Sequence, residues 1–313
     1  MLNFLPAPIL YVLNTTLVIL STIVFATLII IGGLVKLILP GQTLNNLMSH
    51  WLTELMRGWA ITNGLILKLT CKLEWKVTGD TELSRQSWYL VVSNHLSGFD
   101  IAALCYVFRH RIPMLKFFLK RSLIYVPFLG LGCWALNMPF MRRHTPAQIK
   151  KNPNLKGKDM ESTRKACEHF KHLPTSIMNF VEGSRYEAKK HQRQNSPYQY
   201  LLKPKAGGIA FALATLGSQF DKMLDVTLIY PDSAPDILAA ILRGEVTQVQ
   251  VHIRSMPAPK IDAQRYLEEA SYRAEFQQWL NKLWAEKDAL IAERLRESSL
   301  EQKVYPEVKS QSA

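Results

Sequence analysis

Charge is absent from the start of this chain: between Met1 and Val35 there is no Asp, Glu, Lys or Arg. That excludes a secretory leader, which needs a basic opening, a shorter apolar run and a small-residue cleavage site. The run that stands there, Leu10 to Leu39, is rich in Leu, Ile, Val and Thr and exceeds the roughly 20 apolar residues that cross a hydrocarbon core. Residues 1–40 are therefore expected to form an uncleaved transmembrane anchor. Cationic residues precede it nowhere and follow it at Lys36, Arg57, Lys68, Lys72 and Lys76, which places the body of the chain on the cytoplasmic side. Cysteine is scarce too: Cys71, Cys105, Cys133 and Cys167 are widely spaced, with no C-x-x-C, so a zinc or disulfide framework is excluded and reduced, packed thiols are expected. Acidic residues are outnumbered, 25 against 38 Lys plus Arg, for a formal charge of +13. There is no G-x-S-x-G nucleophile elbow, no internal repeat and no low-complexity tract.

After Pro40-Gly41, an amphipathic stretch (41–72) carries Leu47, Trp51, Leu55, Trp59, Ile61, Leu65, Ile66 and Leu69 at helical spacing. It fits a membrane-proximal helix and equally a helix packed on the core. Strands are expected at Leu73–Val77, Trp88–Val92, Met114–Phe118, Ser176–Val181, Asp225–Tyr230 and Val246–Ile253, alternating with helices from Ile101 to Phe108, Glu161 to Lys171 and Gly207 to Leu216, which argues an α/β domain. Ser122–Phe140 is apolar but broken by Pro127, Gly130, Gly132 and Pro139, so it is read as a buried or membrane-grazing segment rather than a second span. Lys150–Asn154 and Tyr186–Tyr200 read as loops. A terminal helix (261–297) and a flexible polar tail (298–313) complete the organisation around a domain at 73–260.

Chemistry concentrates where strands end. Val91-Val92-Ser93 runs into a polar turn holding His95 and, five positions on, Asp100. A histidine can take a proton from a hydroxyl, and an aspartate on its far ring nitrogen fixes the tautomer and stabilises the imidazolium. Taken alone, this spacing also suits a structural turn. The strand ending at Val181 runs into Glu182-Gly183-Ser184-Arg185, where Gly183 permits close backbone approach and Arg185 offers a planar fork for a phosphate; an ordinary strand-to-loop turn is the plainer reading. Arg142-Arg143 forms a third strand-end cationic site, and Lys203 and Lys205 before Gly207-Gly208 a possible fourth anion contact. Residues 142–205 hold 15 Lys or Arg against five acidic residues, a belt suited to anionic lipids, phosphorylated substrates or an acidic carrier. Nucleic acid is the competing partner, but the belt's aromatics are sparse and the chain carries an anchor, so none is expected.

Asn94-His95-Leu96-Ser97-Gly98-Phe99-Asp100 resembles the N-H-x-S-x-x-D signature of the PlsC-type glycerolipid acyltransferases. Phe180-Val181-Glu182-Gly183-Ser184-Arg185 resembles that family's F-P-E-G-T-R, and Phe140-Met141-Arg142-Arg143 is a weak version of its F-I-x-R block. The likeness spans about residues 73 to 255 and is greatest to the family's bacterial YihG branch. It implies a mixed, mostly parallel sheet flanked by helices, at a bacterial inner membrane. Carried over by position, His95 would be the general base and Asp100 its orienting partner, while Arg143, Glu182, Gly183, Ser184 and Arg185 would bind a phosphorylated acceptor. The proline-rich fourth block is replaced by Leu224-Asp225-Val226-Thr227-Leu228.

The reaction this implies is transfer of a fatty acyl group from an acyl carrier protein or coenzyme A thioester to the sn-2 hydroxyl of 1-acylglycerol-3-phosphate, with neither metal nor cofactor. Lysophosphatidylglycerol, or another lysophospholipid, is the alternative acceptor. A membrane-bound thioesterase or lipid hydrolase is the more distant alternative, with Ser97 as the nearby nucleophile.

Overall fold

A computed structural model describes residues 2–141, 167, 170, 173–232 and 234–304. The expected site at Arg142-Arg143 and the loop at Lys150–Asn154 lie outside the described residues, as does nearly all of the helix expected over Glu161–Lys171.

The uncharged start is helix α1 (Ala7–Ile38), long and apolar enough to cross a membrane. It does not stand alone. A turn at Leu39–Gly41 reverses the chain into α2 (Gln42–Thr70), and the two pack antiparallel. Small residues set the close approach: a Cβ at Gly32 would meet Leu52, and one at Gly58 would meet Phe25. Asn14, fully buried in α1, donates through Nδ2 to the Leu242 carbonyl at 2.9 Å, so this helix also docks on the domain. Of the two settings open to α2, the packed one is seen along Leu52, Met56, Ala60 and Leu67. Leu44, Leu47, Trp51, Leu65 and Leu69 stay exposed.

The domain is built on six strands: β1 (Glu74–Gly79), β2 (Tyr89–Ser93), β3 (Leu115–Phe117), β6 (Ser176–Phe180), β7 (Lys222–Ile229) and β8 (Gln248–Met256). Their order is β1-β8-β7-β2-β6-β3, with a two-stranded ribbon of β4 (Leu119–Lys120) and β5 (Phe140–Met141) beside it. Every pairing in the main sheet is parallel except β7 with β8, giving the expected mixed, mostly parallel sheet. Strand β2 sits near the middle and is buried along its whole length, which is why it reads as an unbroken apolar run. One face of the sheet is covered by α2 and α3 (Asp100–Phe108). The other carries α6 (Ala206–Leu216) and, after the short α7 (Ile237–Leu242) and α8 (Ala263–Glu268), the long α9 (Ala270–Val304).

Two expectations need adjustment, and a third, the broken apolar segment, agrees with what is seen. The Tyr186–Tyr200 segment contains a short helix, α5 (Ala188–Gln194), closed by Asn195 in the left-handed region. The tail expected to fray from Ser298 instead continues α9 to Val304, because Ser298 is buried and accepts a 2.8 Å hydrogen bond from Gln250 of β8. Ser122–Phe140 folds as a 3₁₀ turn and α4 (Leu129–Ala135). Gly33 of α1 lies against Ala135 there, while Tyr125, Val126, Phe128, Leu129 and Leu131 remain exposed.

Candidate active site

His95 and Asp100 lie at the carboxyl end of β2, where parallel strands present their loops. Asp100 is the first residue of α3, so the positive end of that helix favours its charge. Its Oδ2 accepts from the backbone N–H of Leu96 at 2.6 Å and of Ser97 at 2.9 Å, and meets His95 Nδ1 at 2.8 Å. An oxygen already accepting two amide donors can only accept from the ring, so Nδ1 carries a hydrogen, and in the neutral tautomer Nε2 is the nitrogen with the free lone pair. The Asp100 carboxylate is fully buried, whereas the His95 side chain keeps 15% of its surface open. The imidazole stacks on Phe180 at the end of β6, centroids 4.0 Å apart and planes within 13°.

The turn is clamped from several sides. Asn94 pairs both ways with the Leu228 backbone of β7 at 2.9 Å, locking the strand end in register. Asp100 Oδ1 accepts from the Tyr230 hydroxyl at 2.7 Å. Tyr230 was not singled out by sequence reasoning, since it stands 130 residues away; its place at the end of the buried strand beside β2 was the available signal. Burial, then the adjacent Asp100 charge and the hydrogen bond to it, push the Tyr230 phenol well above its ordinary pKa, so it stays a donor. Ser97 is buried, and its Oγ accepts from Phe99 N–H at 3.2 Å within the turn.

The second turn meets the first directly. Tyr186 N–H donates to the His95 carbonyl at 2.7 Å, and Lys205 N–H to the Val181 carbonyl at 2.7 Å. Gly183 has φ +71°, which favours glycine, and a Cβ there would lie 3.4 Å from the Lys205 side chain. A Cβ on Gly98 would lie 3.7 Å from Arg185 Nη1, so Arg185 faces the histidine turn across a glycine. Ser184 is half-buried in the same turn. Lys203 is held by its backbone N–H on Gln194 at 3.2 Å, with its side chain exposed. Arg143 is outside the described residues.

Glu182, expected to touch the acceptor, is placed differently. It has no exposed surface, and among the described residues neither carboxylate oxygen meets a donor in full hydrogen-bond geometry, although the His95 and Leu202 backbones and the Trp284 indole lie close enough to pull on it. Burial pushes its carboxyl up to about 8, despite the opposing pull of the His95 backbone, Lys287, Trp284 and the Leu202 backbone. A carboxyl without surface cannot contact an acceptor in this conformation; it lies behind the turn as a support. Beneath it, Lys287 of α9 is buried and bonded to Asp225 at 2.6 Å and to the Val226 carbonyl at 2.6 Å. The segment standing in for the proline-rich block is thus the buried centre of β7.

The chain matches the family model described as Acyltransferase over residues 74–231. The chain belongs to that family. Both turns of this acyltransferase domain, and Tyr230, fall inside the matched span. Lysocardiolipin acyltransferase 1 of Gallus gallus is 24% identical over 275 residues, covering 82% of this chain and 66% of that protein. The 1-acyl-sn-glycerol-3-phosphate acyltransferase delta of Homo sapiens is 23% identical over 273 residues, covering 76% and 67%. The chain thus spans about two thirds of the length of these relatives. The 2-acyl-1-lysophosphatidylinositol acyltransferase of Saccharomyces cerevisiae is 26% identical over 214 residues, covering 55% and 52%. Among solved structures, the 1-acyl-sn-glycerophosphate acyltransferase PlsC of Thermotoga maritima is 16% identical with a TM-score of 0.48, covering 87% of this chain and 96% of that one.

Proposed function

We propose that the chain transfers a fatty acyl group from an acyl thioester to the sn-2 hydroxyl of 1-acylglycerol-3-phosphate, giving phosphatidic acid. The observation that carries this reading is the His95–Asp100 pair, 2.8 Å apart with the ring nitrogen facing Asp100 assigned as donor. His95 Nε2 takes the hydroxyl proton as that oxygen attacks the thioester carbonyl. The tetrahedral adduct then breaks its carbon–sulfur bond, and the imidazolium returns the proton to the leaving thiolate. Asp100 stabilises the imidazolium throughout. Arg185, facing this turn across Gly98, and Lys205, lying along Gly183, supply the cations for the acceptor phosphate.

The donor is an acyl carrier protein or coenzyme A thioester, whose negative charge suits the basic belt. The apolar α1 supports a membrane setting, with the domain on the cytoplasmic side of a bacterial inner membrane. Placement in the YihG-like branch belongs to the same proposal and rests on sequence likeness alone. A different lysophospholipid acceptor is the second reading, favoured by relatives named for lysocardiolipin and lysophosphatidylinositol. Hydrolysis through Ser97 is disfavoured by its burial and its bond within the turn.

The purified full chain should acylate 1-acylglycerol-3-phosphate faster than lysophosphatidylglycerol or lysophosphatidylinositol, as read by product lipid. Arg185→Ala should raise the acceptor KM by roughly 10- to 100-fold, the worth of a lost charge-assisted hydrogen bond. Preference for another lysolipid would replace the acceptor, and an unchanged KM would remove Arg185 from its phosphate.

A further inference from the structure

A second charged cavity lies at the other end of the sheet. Strands β2, β3 and β6 are parallel, and His95 follows their carboxyl ends. A cavity of about 430 Å³ opens among residues that precede them: Pro113 and Met114 before β3, and Leu173 to Thr175 before β6. Its other wall is the middle of α2, with Ser49, Thr53 and Arg57 one turn apart, and Arg85 closes the rim.

Cations dominate this space. Arg57 is only 4% exposed, and its Nε has no hydrogen-bond partner among the described residues. Lys116 is 8% exposed; its Nζ bonds the Leu136 carbonyl at 2.8 Å and reaches Thr53 Oγ1 only at 3.5 Å. Among the described lining residues the one carboxylate is Glu54. It is shared between Arg57, with both oxygens at 2.8 Å from one Nη, and Arg85 at 2.9 Å. Among the described residues, two guanidiniums share one carboxylate and Lys116 lines the same cavity without one, an excess of positive charge partly out of water that is costly unless an anion joins it. Burial first, and then Lys36 outside the cavity, lower the Lys116 pKa to about 8.

We infer that this cavity is a binding site for a phosphate ester, held by Arg57, Arg85 and Lys116 and separate from the His95 site. Two guanidinium forks and an ammonium suit a tetrahedral oxyanion. The cavity has room beyond the phosphate, with Met114, Pro113 and Leu173 as an apolar wall for the esterified group. Leu47 and Trp51, exposed on the same stretch of α2, put the site beside a surface suited to lipid, so the ester is either a phospholipid headgroup or a free phosphate compound.

The test reads binding, not acyl transfer, so it stands or falls apart from the reaction proposed above. Inorganic phosphate is titrated into the detergent-solubilised full chain at constant ionic strength, with chloride as control, and the melting temperature is followed. A saturable rise is expected. Arg85→Gln, on the exposed rim, should weaken the apparent affinity by about tenfold, the worth of one charge-assisted bond. Glu54→Gln should strengthen it, because the competing carboxylate is gone. A parallel titration with short-chain phosphatidylglycerol names the source: half-saturation below that of phosphate means a headgroup, and the reverse means a free phosphate. No phosphate effect beyond chloride, or one that neither variant alters, would overturn the site.

Discussion

The two turns that meet at the candidate active site each bury a carboxylate, and they treat it in opposite ways. Asp100 follows β2, and its oxygens take the Leu96 and Ser97 amides, the His95 ring and the Tyr230 hydroxyl. Glu182 follows β6 next door, is just as buried, and among the described residues meets no donor in full hydrogen-bond geometry on either oxygen. Four donors converge on the first group, while burial outweighs the weaker pull of nearby donors and favours the neutral form of the second. Two adjacent strand ends therefore provide one carboxyl bonded to the histidine and one, its pKa raised to about 8, behind it.

The largest effect should come from spoiling the charged side of this pair. Asp100→Asn keeps the shape but cannot stabilise the imidazolium, so kcat for acyl transfer should fall by roughly 10²–10⁴-fold. A variant within threefold of wild type would mean that Asp100 only shapes the turn. Tyr230→Phe removes one donor to the same carboxylate. It should lower kcat by roughly tenfold, the scale of one hydrogen bond to a charged group, and leave the acceptor KM alone. A KM change without a kcat change would place Tyr230 at the acceptor instead.

The smallest effect concerns the neutral side and is read in stability. The folded protein holds the Glu182 proton up to about pH 8, whereas an unfolded chain releases it near 4.5. The folded state therefore binds the extra proton between those values, and its stability falls as pH rises through that window. Glu182→Gln cannot titrate. Its melting temperature should match wild type near pH 5 and exceed it by a few degrees near pH 8. Parallel curves across the window would show that Glu182 is ionised in the fold.

How much of this could be read from the sequence depends on distance along the chain. His95 and Asp100 were legible because their contact closes within five residues, at the junction of an unbroken apolar strand and a helix start. The strands around them were legible because burial on both faces leaves continuous runs of Val, Leu and Ile. Tyr230 was not, because the link is made by sheet order: β7 lies beside β2, and no local pattern encodes which strands become neighbours. The burial of Glu182 was hidden for the same reason, since its cover comes from α9, through Trp284 and Lys287. Residues 1–40 were legible as a long apolar helix, but its docking through Asn14 and Gly33 was not; a polar residue and a glycine in an apolar run carry no address. The cavity of Arg57, Arg85 and Lys116 combines three separate segments and left no motif at all.

The central claim is that the imidazole of His95 moves the proton. It is tested most directly by the rate of product lipid formation from 1-acylglycerol-3-phosphate and an acyl thioester, comparing the purified full chain with His95→Ala. His95→Gln, closer in size over Phe180, and matched melting temperatures guard against a folding loss. A fall of roughly 10²–10⁴-fold in both variants, the worth of a positioned base, is the predicted result. Acyl transfer at near wild-type rate in either folded variant would contradict it.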